Sequence, residues 1–136
     1  MLSKKTQYAI KALGYLAARQ ATGPVLISDI ARQKRIPLKF LENILLELKK
    51  ADILDSKMGR GGGYFLKTAP EQISLARVMR IVEGPIALLP CVSLNFYRRC
   101  EDCDEVNCRI NTVFAEVRDA TLAVLETKTL ADIRDE

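Results

Sequence analysis

Residues 37–67 read PLKFLENILLELKKADILDSKMGRGGGYFLK, and two periodicities within them decide the fold. From Leu38 to about Ala51, the residues Leu41, Ile44, Leu45 and Leu48 recur at i, i+3, i+4 and i+7. That is the stripe of a helix packing one face inward. Lys39, Glu42, Asn43, Leu46 and Lys50 then project outward, and Pro37 suits the first helical position. Next, 53–58 and 64–67 flank Gly59-Arg60-Gly61-Gly62-Gly63, the pattern of a β-hairpin with a glycine-rich tip.

Upstream lies a short helix containing Ile27, Ile30 and Ala31, followed by the basic turn QKRIP at 33–37. Leu26 stands where a cap is expected, so Ser28 is the candidate cap of a shorter helix. Two helices joined by a tight turn outline a helix-turn-helix, with the second as recognition helix. An ordinary helical hairpin with a solvated face has the same helix pattern, but a hairpin directly after the pair reads as a wing. In such a motif the first residues of the recognition helix enter the major groove. Asn43 is suited to an adenine edge, and Lys39 to a guanine or a phosphate. Arg60 is the cation of the wing tip, where glycines permit close approach to a phosphate chain or a narrow groove. A nucleotide-cradling loop would need Gly-Lys-Ser/Thr before a helix, and this chain lacks it there.

Three more helices are expected. The first runs from about Thr6 to Gln20, with Ala9, Ala12, Leu13, Leu16 and Ala17 on one face, and with Ser3 as N-cap beside Lys4 and Lys5. Another spans Leu75 to Glu83. Ser74 caps it, Ile73 and Val78 form a hydrophobic staple, Leu75, Val78, Met79 and Val82 are its buried face, and Gly84-Pro85 stops it. The longest runs from Arg109 to about Lys128. Its Ile110, Phe114, Val117, Thr121 and Val124 repeat near 3.5 residues, a seam that pairing with a second copy would bury. Thr129 is placed to cap a short final turn.

Charge is divided unevenly. Residues 1–90 hold 15 Lys/Arg against 7 Asp/Glu, and residues 91–136 hold 6 against 10. A basic head on an acidic tail fits a nucleic-acid reader, as well as an unevenly charged solvated surface. Apolar runs are broken by charge well short of the roughly 18 residues of a membrane helix. The opening MLSKKTQYAIKAL lacks the apolar core of a signal peptide, so a cytoplasmic location is expected. The sequence has no histidine, which removes Ser-His and Cys-His catalytic pairs, and no other pair is equipped for acid–base work. An enzyme is not expected.

All four cysteines, Cys91, Cys100, Cys103 and Cys108, fall between the basic head and the longest helix. Structural disulfides are rare in the cytosol. Four thiolates suit an iron–sulfur cluster or zinc, and a pair cycling to a disulfide is a third option. Glu101, Asp102, Asp104 and Glu105 make the segment acidic, which lowers the potential of any cluster held there.

Assembled, these residues resemble the IscR/NsrR/CymR-type family of bacterial transcription regulators. The resemblance rests on LSKKTQYAIKAL at the start, RIPLKFLENIL in the recognition helix, GGGY in the wing, the mid-chain cysteines, and VRDATLAVLETKTLADI near the end. It implies a mainly α winged helix-turn-helix homodimer with a small β-hairpin wing, and a long helix crossing to the partner. In iron–sulfur members the loop before that helix holds the cluster. Other members lack a cluster and are controlled through a protein partner, so a cluster-free regulator of that kind is an alternative expectation. Ser3, Lys5, Tyr8 and Glu42 match family positions, whereas Met58 stands where the family's wing carries arginine. The family's cluster-binding members space three cysteines nearly evenly, sometimes with a histidine three residues after the last. Here Cys91 and Cys108 fit the outer two, Cys100 and Cys103 share the middle, and Asn111 occupies the histidine's place.

The expected organisation is a DNA-binding head at 1–84, a sensor loop at 85–108, and a dimerisation helix with tail at 109–136. The expected cofactor is a [2Fe–2S] or [4Fe–4S] cluster held by Cys91, Cys100, Cys103 and Cys108, with zinc as the alternative. The expected partners are a second copy and near-palindromic double-stranded DNA, with no membrane. Ser3, Lys5, Tyr8, Leu38, Lys39, Glu42, Asn43 and Arg60 are the expected DNA contacts.

Overall fold

A computed structural model describes residues 2–101, 104 and 107–136. Its helices are α1 (Lys4–Ala18), α2 (Ile27–Lys34), α3 (Leu38–Lys50), α4 (Leu75–Val82) and α5 (Arg109–Leu125). Strands β1 (Leu54–Lys57) and β2 (Gly63–Leu66) pair antiparallel, with Leu54 opposite Leu66 and Lys57 opposite Gly63. This is a winged helix-turn-helix with a long trailing helix.

Local chemistry sets most boundaries. The Ser3 hydroxyl accepts the Thr6 amide at 3.2 Å, so α1 begins at Lys4, two residues earlier than its apolar face suggests. The helix ends at Ala18, and Gln20 belongs to a separate 3-10 turn. Helix α2 starts at Ile27 with Leu26 at the N-cap position, where it offers no side-chain bond, so Ser28 lies inside the helix and does not cap it. Arg35 closes α2 in the left-handed region at φ 55°, and buried Ile36 anchors the turn. Pro37 is the N-cap of α3, one place before the expected position. Asp52 turns the chain at φ 63°, while its amide and that of Ile53 bond to Lys49 and Leu48 carbonyls. That paired closure satisfies the last carbonyls of α3.

The inner stripe of α3 is fully buried with Leu13 and Leu16 of α1 and Ile30 of α2. Helix α4 faces two ways. Val78 and Val82 enter this core, and Ala76 joins Ile86 and Leu122 in a second cluster beneath α5. Leu75 and Met79, expected on the buried face, are half-buried at its edges.

Val25 adds a third rung to the wing, exchanging backbone hydrogen bonds of 2.9 and 2.8 Å with Tyr64. A Cβ on Gly63, which sits at φ +140°, would collide with the Val25 carbonyl, and one on Gly62 with that of Lys57. These two glycines serve close approach within the protein's own backbone. Gly59 and Gly61, at the tip, face open space.

After α5 the chain returns to the head. The Leu75 amide bonds to the Lys128 carbonyl at 2.9 Å, and the Leu130 amide to the Ile73 carbonyl at 3.0 Å. Thr129 caps the last turn through a reciprocal pairing with Asp132. Leu130 is fully buried in the head core, and Asp135 bonds Gly14 through its backbone and Lys34 through its carboxylate at 2.8 Å.

Candidate nucleic-acid interface and cysteine segment

The expected DNA contacts lie on α3, on the wing and at the start of α1. Helix α3 presents Lys39, Glu42 and Asn43, all exposed, and none makes a hydrogen bond or ion pair among the described residues. Arg60 stands exposed and equally unpaired at the wing tip, beside Met58 at 90% exposure. Leu38 and Phe40 are exposed apolar side chains in the first turn of α3. Polar groups held ready but unpaired, on a rigid helix with a basic surround, suit readout of base edges.

The start of α1 carries the remaining expected contacts, and its residues are engaged within the chain. Lys5 pairs with Glu47 of α3 at 2.7 Å. Tyr8 meets Phe40 edge to face, with centroids 5.6 Å apart and planes at 81°, and Lys4 lies 5.7 Å from the Tyr8 ring centre. Ser3 donates its hydroxyl to Glu83 Oε2 at 2.7 Å, and the buried Thr6 hydroxyl donates to the same oxygen. These bonds, from Thr6 first and then Ser3, hold the Glu83 carboxyl below the usual range. Glu83, Thr6, Glu47 and Phe40 were not foreseen among these contacts. Phe40 alone carried a signal, being a large apolar residue off the inner stripe of α3. Glu83 is distant in sequence from the residues it binds.

The cysteine segment is pinned at both ends. Cys91 is buried in a short turn, and the Arg118 guanidinium donates to the Val92 carbonyl at 2.9 Å, tying that turn to α5. Cys108 is the N-cap of α5, its sulfur accepting the Asn111 amide at 3.3 Å. The Asn111 side chain donates to the Cys91 sulfur at 3.5 Å. One asparagine thus joins two of the four cysteines. Cys100 is exposed, and Cys103 lies outside the described residues, as do Asp102 and Glu105. Among the described residues, no three metal-ligating side chains form a group.

Along α5, only Leu122 is buried. Ile110, Val113, Val117 and Val124 are exposed at 60, 53, 38 and 54%. Their spacing is that of a heptad seam. Val113 stands in it beside the expected residues, while Phe114 is half-buried. Thr121 is exposed, with its hydroxyl on the Val117 carbonyl at 2.8 Å. Among the described residues, no helix is long and apolar enough to cross a membrane.

The family model for Rrf2, described as "Iron-dependent Transcriptional regulator", matches residues 2–136. An rrf2-like HTH-type transcriptional regulator of Rhodobacter capsulatus is 44% identical over 137 residues, covering 98% of this chain and 91% of the relative. The structure of CymR, the global cysteine regulator of B. subtilis, superposes with a TM-score of 0.81 at 27% identity, covering 98% of this chain and 95% of that one. IscR of T. potens gives 0.76 at 26% identity, over 98% and 85%. The chain belongs to the Rrf2 family and is a transcription regulator of the DNA-binding type, not an enzyme.

Proposed function

We propose that this Rrf2-family regulator acts as a homodimer on a near-palindromic duplex operator, with residues 85–108 as its sensor, holding a [2Fe–2S] or [4Fe–4S] cluster. The observation that carries the sensor reading is the convergence of Cys91 and Cys108 on Asn111. Thiolate donors fit an iron–sulfur centre, and the family's printed description is iron-dependent. Cys91 and Cys108 would hold the group, with Cys100 and Cys103 supplying further thiolates. When bound, such a group supplies a centre that responds to redox conditions.

The chain's own residues link that segment to DNA. Cys108 caps α5, so its sulfur stands at the start of the dimer helix. The exposed seam of α5 supports pairing about a two-fold axis, the commonest symmetry of small oligomers. Two recognition helices so related would read half-sites roughly 34–36 Å apart. Thiolate ligands and operator DNA both suit the cytoplasm. Coupling between sensor and operator of about 1–3 kcal/mol, or ~5–150-fold in affinity, is expected.

Anaerobic purification followed by visible absorption, iron, sulfide and zinc analysis tests the cofactor. Coloured protein with iron and sulfide, whose operator affinity changes on cluster loss, is the expected result. Colourless protein carrying zinc would replace the cluster with a structural metal.

A further inference from the structure

Phe40 is a large apolar side chain in a place where a DNA reader usually presents hydrogen-bonding groups. It lies in the first turn of α3, 39% exposed, among Lys39, Glu42 and Asn43. Its ring is held in place. Tyr8 meets it edge to face at 5.6 Å, and Lys4 stands over Tyr8 at 5.7 Å. The three side chains form one run of contacts from the first turn of α1 to the first turn of α3.

We propose that Phe40 is a specificity-determining residue that reads the 5-methyl group of a thymine in the major groove, next to the phosphate met by Lys4. Among the groups that base pairs display in that groove, the thymine methyl is the apolar one, and phenylalanine is among the side chains that contact it. Recognition helices enter the groove by their N-terminal residues, which is where Phe40 lies. A ring already braced by Tyr8 loses little freedom on binding. Lys4, at the other end of the run, has the charge for a backbone phosphate, which fixes register without reading sequence. The run therefore sets the spacing between a phosphate contact and a base contact.

The test begins with duplexes selected by the full chain from a random-sequence library. Each thymine of the recovered half-site is then replaced by deoxyuridine, which removes the methyl group alone. One position is expected to lose about fourfold in affinity, the worth of one buried methyl group. Phe40→Ala is expected to bind the thymine and deoxyuridine duplexes equally. Phe40→Gln gives the same comparison where the alanine variant does not fold. Deoxyuridine without effect at every position in the wild-type chain overturns the proposal. So does an effect that persists in the variants, which would assign the methyl contact to Leu38 or Leu46. Failure to recover any preferred sequence would overturn it together with specific DNA binding.

Discussion

Ser3, the N-cap of α1, is hydrogen-bonded at 2.7 Å to Glu83, the residue that closes α4. Gly84 follows at φ +102° and begins the segment that leads to the cysteines. The start of α1 and the exit from the head are therefore one contact.

That contact gives the chain an acid-sensitive element. The Glu83 carboxyl is held below its ordinary value by Thr6 and Ser3, so the folded state favours its charged form. Its contribution is complete above the unfolded value, near ~4.3, and is lost as pH falls through the lower folded value. Glu83→Gln should cost about 1 kcal/mol at neutral pH, a charged hydrogen bond discounted for partial exposure. Urea unfolding at a series of pH values should show the two proteins converging in acid. A constant gap across that range would remove the charge from the account.

Base readout by α3 predicts a separation between specific and non-specific binding. Asn43→Ala should lose about 1–3 kcal/mol on the selected operator and little on random duplex. Lys39→Ala should also weaken operator binding more than random binding. Affinity measured against salt should fall steeply for the wild-type chain, since phosphate contacts release counterions. Equal losses on both duplexes would take Lys39 and Asn43 out of base recognition.

Within the wing, neighbouring glycines should behave differently. Gly63→Ala places a Cβ against the Val25 carbonyl at φ +140°, and should destabilise by about 1–3 kcal/mol. Gly61→Asn, in open space at φ +72°, should change stability by less than about 0.5 kcal/mol. Thermal unfolding of the two variants provides the comparison.

If Asn111 orients the thiols, Asn111→Ala should weaken metal retention by about ten- to a hundredfold, the usual effect of removing a hydrogen-bond partner of ligands. The backbone bond from residue 111 to Cys108 survives that change, so the α5 helix signal in circular dichroism should not fall. Metal content after graded chelation is the measurement, and unchanged retention would leave Asn111 without this role.

Val117→Arg should separate the subunits while leaving each head folded, because Val117 is 38% exposed on the seam and outside the head core. Sedimentation should then report a monomer with an intact unfolding transition. A variant that remains dimeric would move the interface away from this seam.

The inner stripe of α3 was legible because Leu41, Ile44, Leu45 and Leu48 obey one period, and the caps Ser3 and Ser74 are strong local signals. Helix α2 was harder to start, because Leu26 offers no side-chain bond and packing alone sets the boundary. Gly62 and Gly63 read as an opening toward DNA, yet backbone crowding from Lys57 and Val25 requires them. On α5 the 3.5-residue pattern did not single out Val113, which is exposed, while Phe114 is half-buried. Glu83 with Ser3 and Thr6, and Asn111 with Cys91, join residues that no local pattern relates. Only the fold brings them together.

The burial of Leu130 in the head core has a consequence for synthesis. Residues 1–84 emerge from the ribosome with a vacancy in their interior that is filled only after the cysteine segment and α5 have been made. Domains usually fold as their residues appear, but this head completes its packing late. A nascent or clipped chain ending before residue 130 would present the recognition helix on an unfinished core. Complete packing of the head is thereby reserved for chains that already carry the cysteine segment and α5.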